Sequence, residues 1–252
     1  MLIFDTHIHC LPGIDDGAES MSDAVEMLKI GREQGIGAYI CTPHSEFITD
    51  SAVSQYEHNA LTELKSRTGE ELLFGTEIHC TKSNLEDVRR KLGILYHPLG
   101  NQDSTPHYYM LEFSYHESPD NMIDIVRDII REDDVRVILA HAERYVYIKP
   151  VMKELRKLGC LVQINISSLT DDIFIGSMED TIFFLENHYV DFIGTDAHRS
   201  TWRPPMVREG LKVLREIVSK EEMNRICYQN AIDLLLKGSD NRLEARFRES
   251  DD

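Results

Sequence analysis
Short β-branched or aromatic runs alternate along the chain with longer stretches whose apolar residues recur at helical spacing. This is the pattern of a parallel sheet or barrel with crossover helices. Seven runs read as strands: Leu2 to Asp5, Ala38 to Thr42, Leu72 to Glu77, Tyr108 to Phe113, Arg136 to Ala140, Leu161 to Asn165 and Asp191 to Thr195. Between them, Ser22 to Gly35 carries Ala24, Val25, Leu28 and Ile30 on one stripe behind an acidic first turn, which suits the positive end of a helix. Pro119 to Arg131 opens with proline and acid and carries Met122, Ile123, Val126, Ile129 and Ile130. Lys149 to Leu158, Met178 to Asn187, Val207 to Val218 and Lys220 to Leu236 complete the predicted helices. The stretch from Leu92 to His107 reads as a long loop, and the tail from Gly238 as polar and frayed. No repeat or linker divides the chain, so residues 1–252 are expected to form a single domain.

Composition narrows the function classes. Forty-four acidic residues against 27 basic ones give a formal charge of −17, which repels a nucleic-acid backbone and excludes it as the expected partner. No run approaches the roughly 18 apolar residues of a membrane span, and Leu2 opens a strand with no basic or apolar leader before it. The five cysteines, Cys10, Cys41, Cys80, Cys160 and Cys227, are odd in number, share no CxxC spacing and read as reduced thiols, so a cytoplasmic location is expected. A thiolate phosphatase needs an arginine six positions after its cysteine. Those positions hold Asp16, Phe47, Glu86, Ile166 and Asp233, so any phosphate chemistry here must be of another kind.

Metal-type side chains stand at or just after the ends of six of the seven predicted strands. His7 and His9 lie two apart in DTHIHC and project to one side of an extended chain. His44 follows strand two, Glu77 ends strand three, Glu112 lies in strand four, His141 follows strand five, and Asp196 and His198 follow strand seven. The loop after strand one adds Asp15 and Asp16. Barrel active sites form at this C-terminal rim. Imidazoles and carboxylates without thiolate suit Mn(II), Fe(II) or Zn(II), and so many donors exceed the needs of one ion.

In order, DTHIHCLPGIDDGA, CTPH, GTEI, LEFS, HAERY, QINISSLT and GTDAH resemble the polymerase and histidinol phosphatase (PHP) superfamily. LPGIDDGA and HAERY are similar to the bacterial protein tyrosine phosphatases of capsular and exopolysaccharide operons within it. The resemblance runs from strand one to about residue 235. It implies an α/β fold, a distorted (β/α)7 barrel of the PHP type, holding two to three divalent ions, manganese foremost, with Fe(II) or Zn(II) as alternatives. The implied ligands are His7, His9, Asp16, His44, Glu77, Glu112, His141, Asp196 and His198, with Asp15 left to support the ligands or cap a helix. Arg144 and Arg203 match positions that face the phosphate. Three positions depart from the usual pattern: Ser45 stands where a second histidine is common, Ala142 replaces a proline, and Arg199 replaces an asparagine.

The expected reaction is hydrolysis of phosphotyrosine by a metal-activated hydroxide with no covalent phosphoenzyme. Arg144 and Arg203 act as fork donors to the phosphate, and His44 can assist the leaving group. Arg144 also has a purely structural reading, a salt bridge with Glu143 or another acid. Arg199 either adds to phosphate attraction or pairs with a rim acid. The implied partner is a phosphotyrosine protein, the tyrosine-rich tail of a bacterial tyrosine kinase. Rival readings are a phosphatase for histidinol phosphate or another small ester, a metal-dependent amidohydrolase, and a non-catalytic module that senses phosphotyrosine.

Overall fold
Strands apolar on both faces need cover on both faces, and a ring of parallel strands inside a layer of helices supplies it. The computed structural model describes residues 1–103, 105–131, 135–170, 177–237 and 241–250. Its strands are β1 (Ile3–Ile8), β2 (Ile36–Cys41), β3 (Leu72–Phe74), β4 (Glu77–His79), β5 (His107–Glu112), β6 (Val135–Leu139), β7 (Leu161–Asn165) and β8 (Phe192–Gly194). Every pairing among them is parallel.

β3 and β4 are two halves of the single run predicted from Leu72 to Glu77. The break falls at Gly75, where an added Cβ would stand only 3.1 Å from Leu99 Cγ. β3 pairs with β2, whereas β4 opens the second sheet, of order β4-β5-β6-β7-β8. Glu77 N donates to Pro43 O at 3.1 Å and bridges the two sheets. The ring closes between β1 and β8, where Asp196 N donates to His7 O at 2.8 Å and His9 N to Ala197 O at 2.9 Å. Beneath this seam the buried Asp5 carboxylate accepts from Thr195 N at 2.9 Å and Thr195 Oγ1 at 2.6 Å. The outcome is the expected distorted barrel, with seven staves.

The helices are α1 (Met21–Gln34), α2 (Ser51–Thr68), α3 (Leu85–Lys91), α4 (Pro119–Ile129), α5 (Met152–Lys157), α6 (Met178–Glu186), α7 (Arg208–Ile217), α8 (Lys220–Asn224) and α9 (Asn241–Glu249). Ser20 Oγ caps α1 by accepting from Asp23 N, and Gly35 ends it at φ 106, a left-handed turn that glycine takes without strain. The predicted helix from Lys220 to Leu236 is α8 continued by π-helical turns at Arg225–Gln229 and Ala231–Leu235. No helix among the described residues is long and apolar enough to cross a membrane.

The expectation of a frayed tail from Gly238 is corrected. α9 buries Leu243 and Phe247, and the Phe247 ring lies 5.6 Å from those of both Phe4 and Tyr228. Two apolar residues four apart on a helix share a face, which the charged remainder of the segment conceals. Residues 238–240 and 251–252 of that tail lie outside the described residues.

Candidate metal centre
β1 runs on through His7, so His7 and His9 stand on the same inward side at its rim, both buried. Glu77, the first residue of β4, is fully buried beneath them. Its Oε2 lies 3.1 Å from His7 Nε2, 3.2 Å from His9 Nε2 and 3.0 Å from His44 Nδ1. Its Oε1 lies 2.8 Å from His141 Nε2, which is also 3.5 Å from Glu112 Oε1. Asp196 Oδ1 stands 3.4 Å from His9 Nε2 and 3.7 Å from His7 Nε2. At the solvent side, Asp16 Oδ1 lies 3.6 Å from His44 Nε2 and 3.5 Å from His198 Nε2. All nine predicted ligand side chains thus meet at one rim.

The chemistry of this donor set fits divalent ions. Seven of the nine fall into three overlapping groups able to hold a cation: His9, His44 and His198; His7, His9, Glu77 and Asp196; and His44, Glu77 and Glu112. Glu77 Oε2 and His44 Nδ1 are buried without a hydrogen bond although they face each other at 3.0 Å. A carboxylate oxygen and an imidazole nitrogen brought this close with no hydrogen bond between them are what a shared cation satisfies. Burial, and then the charge of Glu77, push the Glu112 carboxyl up to about 8, a repulsion that a cation between them relieves. Burial, and then Arg144, push His141 down to about 4, whereas nearby carboxylates outweigh burial and raise His7, His9 and His44, a concentration of negative charge that a cation as well as a proton answers.

Buried groups behind the donors aim them. Asp15 Oδ2 accepts from His9 Nδ1 at 2.8 Å and from His44 N at 3.0 Å, while its Oδ1 accepts from Gly17 N. Gln163 Oε1 accepts from His141 N at 2.8 Å and faces His7 Nδ1 at 3.2 Å. Asn165 Nδ2 donates to Asp196 Oδ2 at 3.0 Å. Sequence reasoning missed Gln163 and Asn165. The available signal was a pair of amides two apart on the otherwise apolar β7.

Both predicted phosphate-facing arginines reach the same atom. Arg144 Nη1 donates to Asp196 Oδ2 at 3.1 Å, and Arg203 Nη2 donates to it as well. Glu143 turns away from Arg144 and accepts instead from Asn165 N and Ser168 Oγ. Arg199 pairs with the rim acid Glu19. Ser45 Oγ accepts from His79 N at 3.1 Å, and Ala142 is buried. Outside glycine, the left-handed backbone occurs among the described residues at His141, His188, Asp196 and Arg203, three of them in this site. Such strain persists where the surrounding structure over-determines it. Beside the two arginines opens a cavity of about 910 Å³, whose lining includes Trp202, Pro204, Met206 and Arg208.

The chain is similar to known proteins over nearly its whole length. It is 24% identical over 249 residues to tyrosine-protein phosphatase CpsB of Streptococcus agalactiae, covering 92% of this chain and 98% of that protein. It is 26% identical over 231 residues to tyrosine-protein phosphatase YwqE of Bacillus subtilis, covering 87% and 86%. A solved structure from the metal-dependent tyrosine phosphatases YwqE of Bacillus subtilis and CpsB of Streptococcus pneumoniae shares the fold, with a TM-score of 0.73 and 24% identity over 94% of this chain and 96% of that one. The family described as capsular polysaccharide synthesis, CpsB/CapC, matches residues 3–236. With that match running from β1 to the last π-helical turn, the chain belongs to the CpsB/CapC family of capsular polysaccharide synthesis proteins.

Proposed function
We propose that His7, His9, Asp16, His44, Glu77, Glu112, His141, Asp196 and His198 hold two or three divalent ions, and that the protein uses them to hydrolyse phosphotyrosine. It is a PHP-type metal-dependent protein-tyrosine phosphatase, a phosphoric monoester hydrolase linked to capsule and exopolysaccharide synthesis. The observation that carries this reading is the convergence of buried imidazoles and carboxylates beside two arginines that share Asp196 Oδ2. Mn(II) is the ion we place there first, and Fe(II) or Zn(II) suits the same donors. Bound divalent ions supply Lewis acidity toward phosphoryl oxygens and a nucleophile from water at neutral pH.

The protein's own groups do the rest. Asp196 aims both guanidinium groups at one point, and each keeps N–H donors free for a phosphate. Their charge offsets that of the ester as its bond to the phenolic oxygen breaks. His44, partly exposed between Asp16 and Glu77, is the imidazole we assign to help the leaving oxygen take its proton if the other eight side chains hold the ions without it; as a ligand it leaves that proton to water. Asp15 and Gln163 hold His9, His44, His7 and His141 in place.

We read residues 1–252 as one barrel domain, supported by α9 packing its Phe247 against Phe4 of β1. Five buried free cysteines favour the cytoplasm, and the substrate we favour is the tyrosine-rich tail of a bacterial tyrosine kinase. The test is hydrolysis of para-nitrophenyl phosphate and a phosphotyrosine peptide by purified protein across Mn(II), Fe(II), Zn(II) and Mg(II), with metal analysis. Activity that survives thorough chelation overturns the metal mechanism. A preference for histidinol phosphate over the peptide overturns the substrate.

A further inference from the structure
Each arginine assigned to the phosphate carries an aromatic ring. The Arg144 guanidinium lies 5.0 Å from the centre of the Tyr115 ring and donates to the Tyr115 hydroxyl. That of Arg203 lies 5.5 Å from the centre of the Trp202 ring. Because both arginines also bind Asp196 Oδ2, the two rings are tethered to a common point.

Both rings are large and left in water, Tyr115 at 46% exposure and Trp202 at 52%. Nine large apolar side chains are exposed among the described residues. Six of them, Phe47, Tyr115, Val146, Tyr147, Trp202 and Met206, lie on segments that follow strands at this one rim. Exposed large apolar side chains concentrated on the loops of one rim point to that rim as the surface that meets a ligand.

The loops that present the two rings are braced. Arg199 N donates to Trp202 O at 3.0 Å and His198 N to Arg203 O at 3.1 Å, with Arg203 in the left-handed region at φ 54. Ser200 N donates to Asp23 Oδ1 at 3.0 Å, and Pro204 and Pro205 follow directly. The indole meets the His198 ring edge-on at 5.6 Å. On the other side Tyr115 O accepts from Val146 N at 3.1 Å, joining the loops after β5 and β6. A ring held in advance loses little freedom when a partner arrives.

We propose that Tyr115 and Trp202 are specificity-determining residues: they clasp the aromatic ring that bears the phosphate while Arg144 and Arg203 hold the phosphate itself, so the site prefers aryl over alkyl phosphates. This rests on the phosphatase reading above. An alkyl ester of the same charge satisfies the arginines but leaves both rings unpaired.

Trp202 is the only tryptophan of the chain, so its emission reports the clasp directly. Protein supplied with Mn(II) is titrated with phenylphosphonate and with methylphosphonate, neither of which is hydrolysed, and occupancy is read by calorimetry. Emission changes saturably with the phenyl compound and changes less with the methyl compound at equal occupancy, since the methyl compound reaches the indole only through Arg203. In kinetics, Tyr115→Ala and Trp202→Ala each lower the ratio of kcat/KM for phenyl phosphate to that for glycerol phosphate by roughly threefold to tenfold, chiefly through KM, and Tyr115→Phe and Trp202→Phe restore most of it. Unchanged emission at saturation with phenylphosphonate, or a double alanine variant with the wild-type ratio, overturns the clasp. If the wild-type protein hydrolyses neither ester, the phosphatase reading falls while the emission titration still decides whether the rings receive an aryl group.

Discussion

Asp15 takes the Nδ1 hydrogen of His9 at 2.8 Å, which fixes the tautomer of that ring and turns its Nε2 lone pair toward Glu77 and Asp196. Carboxylates behind ligating imidazoles typically contribute one to two orders of magnitude in metal affinity. Asp15→Ala is therefore expected to weaken binding of the tightest ion by about 10- to 100-fold, measured by competition with a chelator of known affinity. Unaltered affinity would reduce Asp15 to a loop cap for Gly17 and His44.

The two arginines give a prediction in rate. Arg144→Ala and Arg203→Ala should each lower kcat/KM by roughly 10- to 100-fold, the range expected for a charged hydrogen bond lost at the phosphate. Lysine should recover little, because an ammonium lacks the planar fork that can serve Asp196 and a phosphate together. Steady-state kinetics with a phosphotyrosine peptide decide it.

Removing the ions should cost stability as well as activity. Glu77, Glu112 and Asp196 crowd one buried site, and an ion that binds the native state alone raises its melting point. Chelation followed by dialysis is expected to lower the midpoint of thermal unfolding by on the order of 5 °C and to abolish turnover, with both restored by Mn(II). A midpoint indifferent to chelator and Mn(II) would contradict this.

Glu57 supplies a pH dependence away from the ligands. It is fully buried on α2, and neither carboxylate oxygen has a hydrogen bond. Burial, and then the charge of Asp15, push its carboxyl from 4.5 up to about 8. Between these values the folded protein keeps a proton that the unfolded chain releases, so stability falls as pH rises through that window and levels off above it. Glu57→Gln should flatten the decline, gaining about 1–3 kcal/mol at about pH 9 and little at about pH 5. Urea unfolding at both pH values reads the difference, and an equal gain at each would refute the assignment.

Phe247 tests the helical tail. Held between Phe4 and Tyr228 with no exposure, it should cost about 3 kcal/mol when replaced by alanine. A truly frayed end would make that substitution silent in chemical denaturation.

What the sequence made legible, and what it hid, follows from how each residue is held. His7 and His9 are readable because spacing by two on a strand dictates one face, and Glu77 ends its predicted run although the strand breaks at Gly75. The long α2 goes unpredicted because it buries only Ser54, Glu57, Ala60 and Leu64, too weak a stripe to announce a helix. Tyr115 acquires meaning only when the loops after β5 and β6 bring it onto Arg144, and Trp202, which adjoins its arginine in sequence, only when Arg203 meets Arg144 at Asp196. The partner of Arg144 is similarly beyond local pattern, since the adjacent Glu143 is spoken for by Asn165 and Ser168.

The seam between the first and last staves has a consequence for the order of assembly. Thr195 grips Asp5 across 190 positions, and Asp196 reaches the His7–His9 pair only through that seam. A nascent chain that has not yet released β8 therefore lacks the carboxylate that completes the ion cage. Contacts of such high order form late and slowly. Of the three groups able to hold a cation, the two that include Asp196 or His198 are then complete only once the first and last staves have met, whereas His44, Glu77 and Glu112 come together without β8.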